Sequence, residues 1–231
     1  MRVTVQIPIK GQSERVPGKN LREVGGKPLF AHLLDRLRDD APKRWRMVVD
    51  TDSDEVQEAV SKRYGDCFEF HRREAWYAGN RANGNHLLIQ FAHAHPDTDI
   101  YVQAFVTAPL LSFASLFLLV EKLADSDALA SATHVVEATG WYWFDGEPVN
   151  YEPDMVNGLP RSQDATMWRE CTGAYAVRRE ALLLTGCRLP SPREMVPLDP
   201  REAMDVDTLD DFEQLQKELH DEGTSEKAHV R

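Results

Sequence analysis

Val3-Thr4-Val5-Gln6-Ile7-Pro8-Ile9-Lys10-Gly11-Gln12-Ser13-Glu14-Arg15-Val16-Pro17-Gly18-Lys19-Asn20 opens the chain with an alternating, β-branched run that passes straight into a polar loop carrying glycines and cations. Alternation with β-branching, closing on a proline, is a strand signal. In a parallel α/β sheet, ligands sit beyond the carboxyl ends of the strands, so the loop lies where a ligand belongs. Its glycines let the backbone approach phosphates, and Lys10, Arg15 and Lys19 supply positive charge from one short segment. A solvated basic loop has the same composition, and these residues alone leave both readings open.

Working outward, strand and helix signals alternate. Pro28 to Leu37 has helical periodicity with proline at a tolerant first turn, Arg46 to Asp50 is a short apolar strand, and Asp52 or Ser53 caps a helix over 53–63. Strands are expected over 67–70, 100–106, 128–136 and 172–177, and helices over 85–95, 112–124, 180–185 and 208–220. This rhythm predicts an α/β fold of three layers (α/β/α), Rossmann-like, with a mostly parallel sheet. The stretch 137–170, rich in Trp, Pro, Gly and Asn, breaks the rhythm and reads as an inserted arm. The expected organisation is one domain over 1–222 carrying that arm, then a disordered tail over 223–231.

Composition excludes several classes. A formal net charge of −11 argues against a nucleic-acid-coating surface, which needs lysine and arginine to displace counterions. It leaves room for a small anionic substrate on a local basic cluster. No apolar run is long enough to span a membrane, and no signal peptide is expected at the start. Cys67, Cys171 and Cys187 form no CxxC pair, so neither a disulfide framework nor a zinc site is expected, and the cytoplasm is the default address. A P-loop needs four residues between its glycine and the Gly-Lys pair, whereas six separate Gly11 from Gly18 and Asn20 follows the lysine. GxGxxG and GxSxG are both absent.

Asp205 and Asp207 flank Val206, and in an extended segment the two carboxylates fall on one side. Paired carboxylates suit Mg²⁺, which takes oxygen ligands and shares substrate phosphates. The competing reading is an acidic helix start with Asp207 as N-cap.

Six segments, in order, resemble the CMP–sugar-acid synthetases (acylneuraminate and ketodeoxyoctonate cytidylyltransferases) and their phosphonate cytidylyltransferase relatives. They are the loop 10–20, Gly25-Gly26-Lys27-Pro28-Leu29, Val49-Asp50-Thr51-Asp52, Gln103 to Pro109, Pro160-Arg161-Ser162-Gln163-Asp164, and Glu202-Ala203-Met204-Asp205-Val206-Asp207. The resemblance implies a nucleotide-diphospho-sugar transferase-like fold and transfer of CMP from CTP to a small acidic acceptor, with release of pyrophosphate. It implies Mg²⁺ on Asp205 and Asp207, and Lys10, Arg15 and Lys19 as catalytic cations. Gly11, Ser13 and Asn20, with Asn83 and Asn85, join them in nucleotide binding; Gln103, Arg161, Gln163 and Arg169 line the acceptor side. Arg72 and Arg73 match a basic pair in the family, though a solvated pair reads the same. The arm, with Trp141, Tyr142, Trp143 and Trp168, is implied to pack a homodimer.

The departures fall on the acceptor side. The family's loop arginine is Lys10, and Glu14 stands where a lysine is usual, so Glu14 is expected to point away or pair with Arg15. Phe105 and Val106 are extra in the Gln103 segment. These changes suit a small phosphonate such as phosphonoformate, with a 2-keto sugar acid as the alternative. A nucleotide-binding module without catalysis is the reading from another class.

Overall fold

The computed structural model describes residues 1–153 and 156–229, with side-chain surroundings up to residue 220. β1 (Val3–Ile9) is buried along its whole length, Thr4 and Gln6 included, as befits a central strand covered on both faces. After it come the ribbon β2 (Glu23–Val24) and β3 (Lys27–Pro28), α1 (Leu29–Asp40), β4 (Arg46–Thr51), α2 (Asp54–Tyr64) and β5 (Glu69–Arg72). A short α3 (Ala75–Ala78) precedes α4 (Gly84–Ala94), β6 (Ile100–Ala104), α5 (Phe113–Asp125) and β7 (Ser131–Thr139). The hairpin β8 (Trp143–Phe144) and β9 (Glu147–Pro148) leads to β10 (Thr166–Arg178), α6 (Arg179–Thr185), β11 (Arg193–Pro197) and α7 (Leu209–His229).

Seven strands form the main sheet in the order β11-β7-β10-β6-β1-β4-β5. Within it β1 pairs in parallel with β4 and β6, β4 with β5, and β7 with β11, while β10 runs antiparallel to both its neighbours. The expected mostly parallel α/β sheet is therefore present. Alternation sorts its two faces. Val3, Val5, Ile7, Val49 and Val102 pack with residues of α1, α2 and α5, whereas Val48, Tyr101 and Val177 pack with α4 and α6.

Several elements differ from the sequence reading, among them the β2–β3 ribbon, α3 and the β8–β9 hairpin, which it did not anticipate. β11 was not anticipated; it adds an edge strand beside β7. The arm is narrower at its base than 137–170, because β7 runs on to Thr139 and pairs with β10 from Thr166. Those positions are largely exposed, so they lack the apolar alternation that marks a buried strand. The expected tail falls mostly on α7, helical to His229, and residues 154–155 of the arm lie outside the described residues. Among the described residues no helix is long and apolar enough to cross a membrane, and the three cysteines are free.

Candidate active site

A cleft of about 420 Å³ opens beyond the carboxyl ends of β1, β5 and β6. The loop after β1 supplies Lys10, Ser13, Arg15, Lys19 and Asn20; the segment after β5 supplies Arg73, Tyr77, Asn80 and Leu87; Phe105 to Thr107 close it after β6. Several contacts fix the loop. Gly18 takes a left-handed φ of 65° that lets the chain turn into a short helical turn over Lys19–Leu21. Asp52 accepts from the Gly11 N–H at 3.1 Å, and a Cβ on Gly11 would lie 2.5 Å from Ser53 Cβ. The Asn20 amide donates to the Lys10 carbonyl at 2.8 Å.

The chain's far end meets this loop. Lys19 Nζ donates to Asp207 Oδ1 and to the Val206 carbonyl, both at 2.9 Å, and Arg15 Nη1 donates to Asp207 Oδ2 at 2.7 Å. Lys19 is buried, whereas the Arg15 side chain is 65% exposed. Val206 anchors the segment: its N–H donates to the Thr107 carbonyl at 2.8 Å, and its side chain packs with Val16, Leu29, Phe212 and Leu215. Capping of α7 leaves Asp207 free for this duty. Thr208 Oγ1 accepts from the Asp211 N–H at 3.3 Å while Asp211 accepts from the Thr208 N–H at 2.7 Å, a reciprocal cap that displaces the N-cap reading of Asp207.

Other sequence expectations are redistributed. Asp205 and Asp207 do not share partners: Asp205 Oδ2 accepts from Thr172 Oγ1 at 2.7 Å and borders a second cavity of about 440 Å³ with Arg169 and Asp211. Asn83 is the N-cap of α4, its Oδ1 accepting from the Asn85 and His86 N–H groups, and Asn85 Oδ1 accepts from the Arg188 N–H at 3.0 Å. Neither asparagine borders the main cleft; the side chains of both accept backbone hydrogen bonds around the start of α4. Gln103 is fully buried, donating to Gln6 Oε1 at 2.8 Å and to the Gly84 carbonyl at 3.0 Å. Arg161 is exposed in the arm and forks onto Asp164 at 2.6 and 3.0 Å; Gln163 is exposed beside it, and neither reaches either cavity. Glu14 pairs with Asn80, which also accepts from Lys10 Nζ at 3.0 Å, rather than with Arg15. Asp52 holds Gly11 and Ser53 does the capping of α2, by accepting from the Val56 N–H at 3.3 Å.

One residue of the cleft wall escaped the sequence, and the basic pair 72–73 resolves into two roles. Asn80 joins Lys10 to Glu14, and no spacing signal singles it out. Arg73 is buried and donates through Nε to the fully buried Asp50 at 2.9 Å, with Gln6 also on that carboxylate at 2.5 Å. Of the Arg72–Arg73 pair, Arg73 is the cleft residue and Arg72 an exposed partner of Asp54.

In chemistry the two aspartates suit a magnesium ion, although they face different partners, Lys19 and Arg15 for Asp207 and Thr172 for Asp205. Asp205 Oδ1 is buried without a partner, an acceptor left open in a place closed to bulk water. Carboxylates two positions apart offer oxygen donors of the kind an ion takes when its other ligands come from water and phosphate. No group of three or more His, Cys, Asp or Glu gathers among the described residues, so an all-protein cage is not what the site offers.

Comparison with known proteins follows the same line. A family model described as cytidylyltransferase matches residues 4–145. The 3-deoxy-manno-octulosonate cytidylyltransferase of Escherichia coli is 24% identical over 201 residues, covering 78% of this chain and 74% of that protein. The enzyme of the same description from Pectobacterium carotovorum subsp. carotovorum is 29% identical over 131 residues, 55% of this chain but only 48% of that protein. In fold, the chain resembles a CMP:2-keto-3-deoxy-manno-octonic acid synthetase solved in complex with CTP (TM-score 0.73, 20% identity, 96% of this chain and 100% of that one). It also resembles the 4-diphosphocytidyl-2C-methyl-D-erythritol synthase of Anaerococcus prevotii (TM-score 0.66, 10% identity, 94% and 96% covered).

Proposed function

This chain belongs to the cytidylyltransferase family, and from that premise we propose that it transfers CMP from CTP to a small acidic acceptor, releasing pyrophosphate. The observation that carries the reading is that Lys19 and Arg15, which line the cleft, both meet Asp207. A triphosphate laid along the loop exchanges its oxygens for those of Asp207 on Arg15, whose exposed side chain is free to swing, while buried Lys19 stays seated. Lys10, the backbone at Gly11 and Ser13, and Asn20, whose Oδ1 is buried without a partner, complete the nucleotide contacts.

Asp205 and Asp207 would hold Mg²⁺, which when bound neutralises charge on the phosphates. The chain's own part is positioning and electrostatics: the loop cations hold the leaving pyrophosphate as charge gathers on it, and the acceptor oxygen lies in line with the α-phosphorus. A phosphonate acceptor needs no base, being already an anion, and the altered segment around Phe105 favours it. The relatives in E. coli and P. carotovorum, by their description, favour a 2-keto sugar acid instead. The assembly is a homodimer packed through the arm, whose Trp143 and Phe144 are 58% and 77% exposed in the single chain.

The test is pyrophosphate release from each nucleoside triphosphate, crossed with phosphonoformate and 3-deoxy-manno-octulosonate, with and without Mg²⁺. Turnover is expected with CTP and Mg²⁺ only, and D207N is expected to lose at least about 100-fold in kcat/KM while staying folded. Full turnover by D207N, or turnover in a chelator, would sink the mechanism.

A further inference from the structure

Arg188 lies between α6 and β11, in a stretch that no sequence motif marks. Its side chain is half-buried, with the guanidinium carbon 3.7 Å from the Tyr175 ring centroid and 5.6 Å from that of Phe105. Arg188 Nη1 donates to Gln103 Oε1 at 2.9 Å. The fold leaves room for this group at Gly84, where a Cβ would fall 2.0 Å from Arg188 Nη1. Ala82 and Leu87, on either side of Gly84, line the main cleft, and so does Phe105. Arg188 itself is not among the residues that line the cleft, but its half-buried side chain abuts Phe105, which does, so the guanidinium sits directly behind that wall.

Its partners among the described residues, Gln103, Tyr175 and Phe105, are all neutral. A half-buried cation without a counter-charge is costly, and a guanidinium offers five donors in a fixed fork that matches a carboxylate. The arginines that line the cleft are already engaged, Arg15 on Asp207 and Arg73 on Asp50. Stacking on Tyr175 fixes the plane of the fork and the bond to Gln103 fixes its rotation, which is the preorganisation a receptor needs.

Resting on the function proposed above, we infer that Arg188 is the receptor for a carboxylate on the acceptor, held away from the oxygen that attacks the α-phosphorus. Gln103 is then a positioning residue acting through Arg188. Both acceptor classes, a carboxylated phosphonate and a 2-keto sugar acid, carry such a group, so the inference fixes the shared chemistry. It moves acceptor recognition from the arm's Arg161 and Gln163 to the sheet side of the cleft.

The test compares wild type, R188Q and R188K of the full chain with CTP, Mg²⁺ and whichever of phosphonoformate or 3-deoxy-manno-octulosonate is turned over, beside the methyl ester of its carboxylate. R188Q is expected to raise the acid's KM at least about 30-fold and to turn over acid and ester alike. CTP affinity by calorimetry should stay within about twofold, and R188K should recover part of the loss because it keeps charge without the fork. An R188Q enzyme with the wild-type KM for the acid, or one that penalises acid and ester equally, overturns the inference. So does a pair of variants that both lose CTP binding and thermal stability, since that marks a structural strut. A wild-type enzyme releasing no pyrophosphate from CTP sinks the parent reading instead, and is told apart by its failure before any substitution.

Discussion

Asp207 gathers two cations from a loop 188 and 192 residues away in sequence, and that small ionic knot joins the two ends of the chain beside the cleft. Asp50 and Arg73 form a second knot, deeper and drier, with Asp50 fully buried. Removing one partner of such a pair strands the other charge in the interior, which outweighs the loss of the contact itself. Arg73→Met is therefore expected to lower stability by about 3–5 kcal/mol in urea titration. A loss under about 1 kcal/mol would mean that the Asp50 charge escapes confinement by relaxing toward water.

At the scale of elements, α4 carries a polar residue that caps its start and α1 one that ties it to β2. Asn83 closes a capping box with His86 at the start of α4. Asn83→Ala is expected to cost about 1 kcal/mol of stability and to leave CTP affinity unchanged within about twofold. A tenfold loss of CTP affinity in a fully stable variant would place Asn83 in the nucleotide site. In α1, His32 is buried with its Nε2 at 3.0 Å from the Val24 carbonyl, and burial pulls its imidazole down to about 4 from an ordinary 6.5. Between pH 6.5 and 4 the unfolded chain takes up a proton that the folded chain refuses, so stability falls as the pH drops through that window. The contribution is about 3 kcal/mol, and His32→Gln, which keeps a donor, should flatten that part of the stability–pH curve. An unchanged slope would show that the ring is protonated in the fold.

At the scale of the molecule, the sheet gathers the first loop, the Arg73 segment and Phe105–Thr107 at one end, and α7's cap brings Asp207 in over them. The arm stands apart on the β7–β10 stem, presenting Trp141, Trp143, Phe144 and Trp168 to solvent. Replacing Trp143 and Phe144 together by serine is expected to turn a dimer into a monomer in light scattering, with the CTP site intact; a wild-type monomer at working concentration would remove the dimer. Sequence alone determined the layered α/β class and the location of the loop cations beyond the first strand. Hydrophobic periodicity and turn residues act over a few neighbours, and the short motifs sit in the chain in a fixed order. Only the tertiary structure decided which polar residues face the cleft. It set Asn83 and Asn85 in hydrogen bonds at the start of α4, buried Gln103, placed Arg161 and Gln163 in the arm, brought Arg73 and Asn80 to the cleft wall and put Arg188 behind Phe105. A side chain's partner is set by contacts across strands and loops far apart in the chain, and no local pattern of residues encodes them.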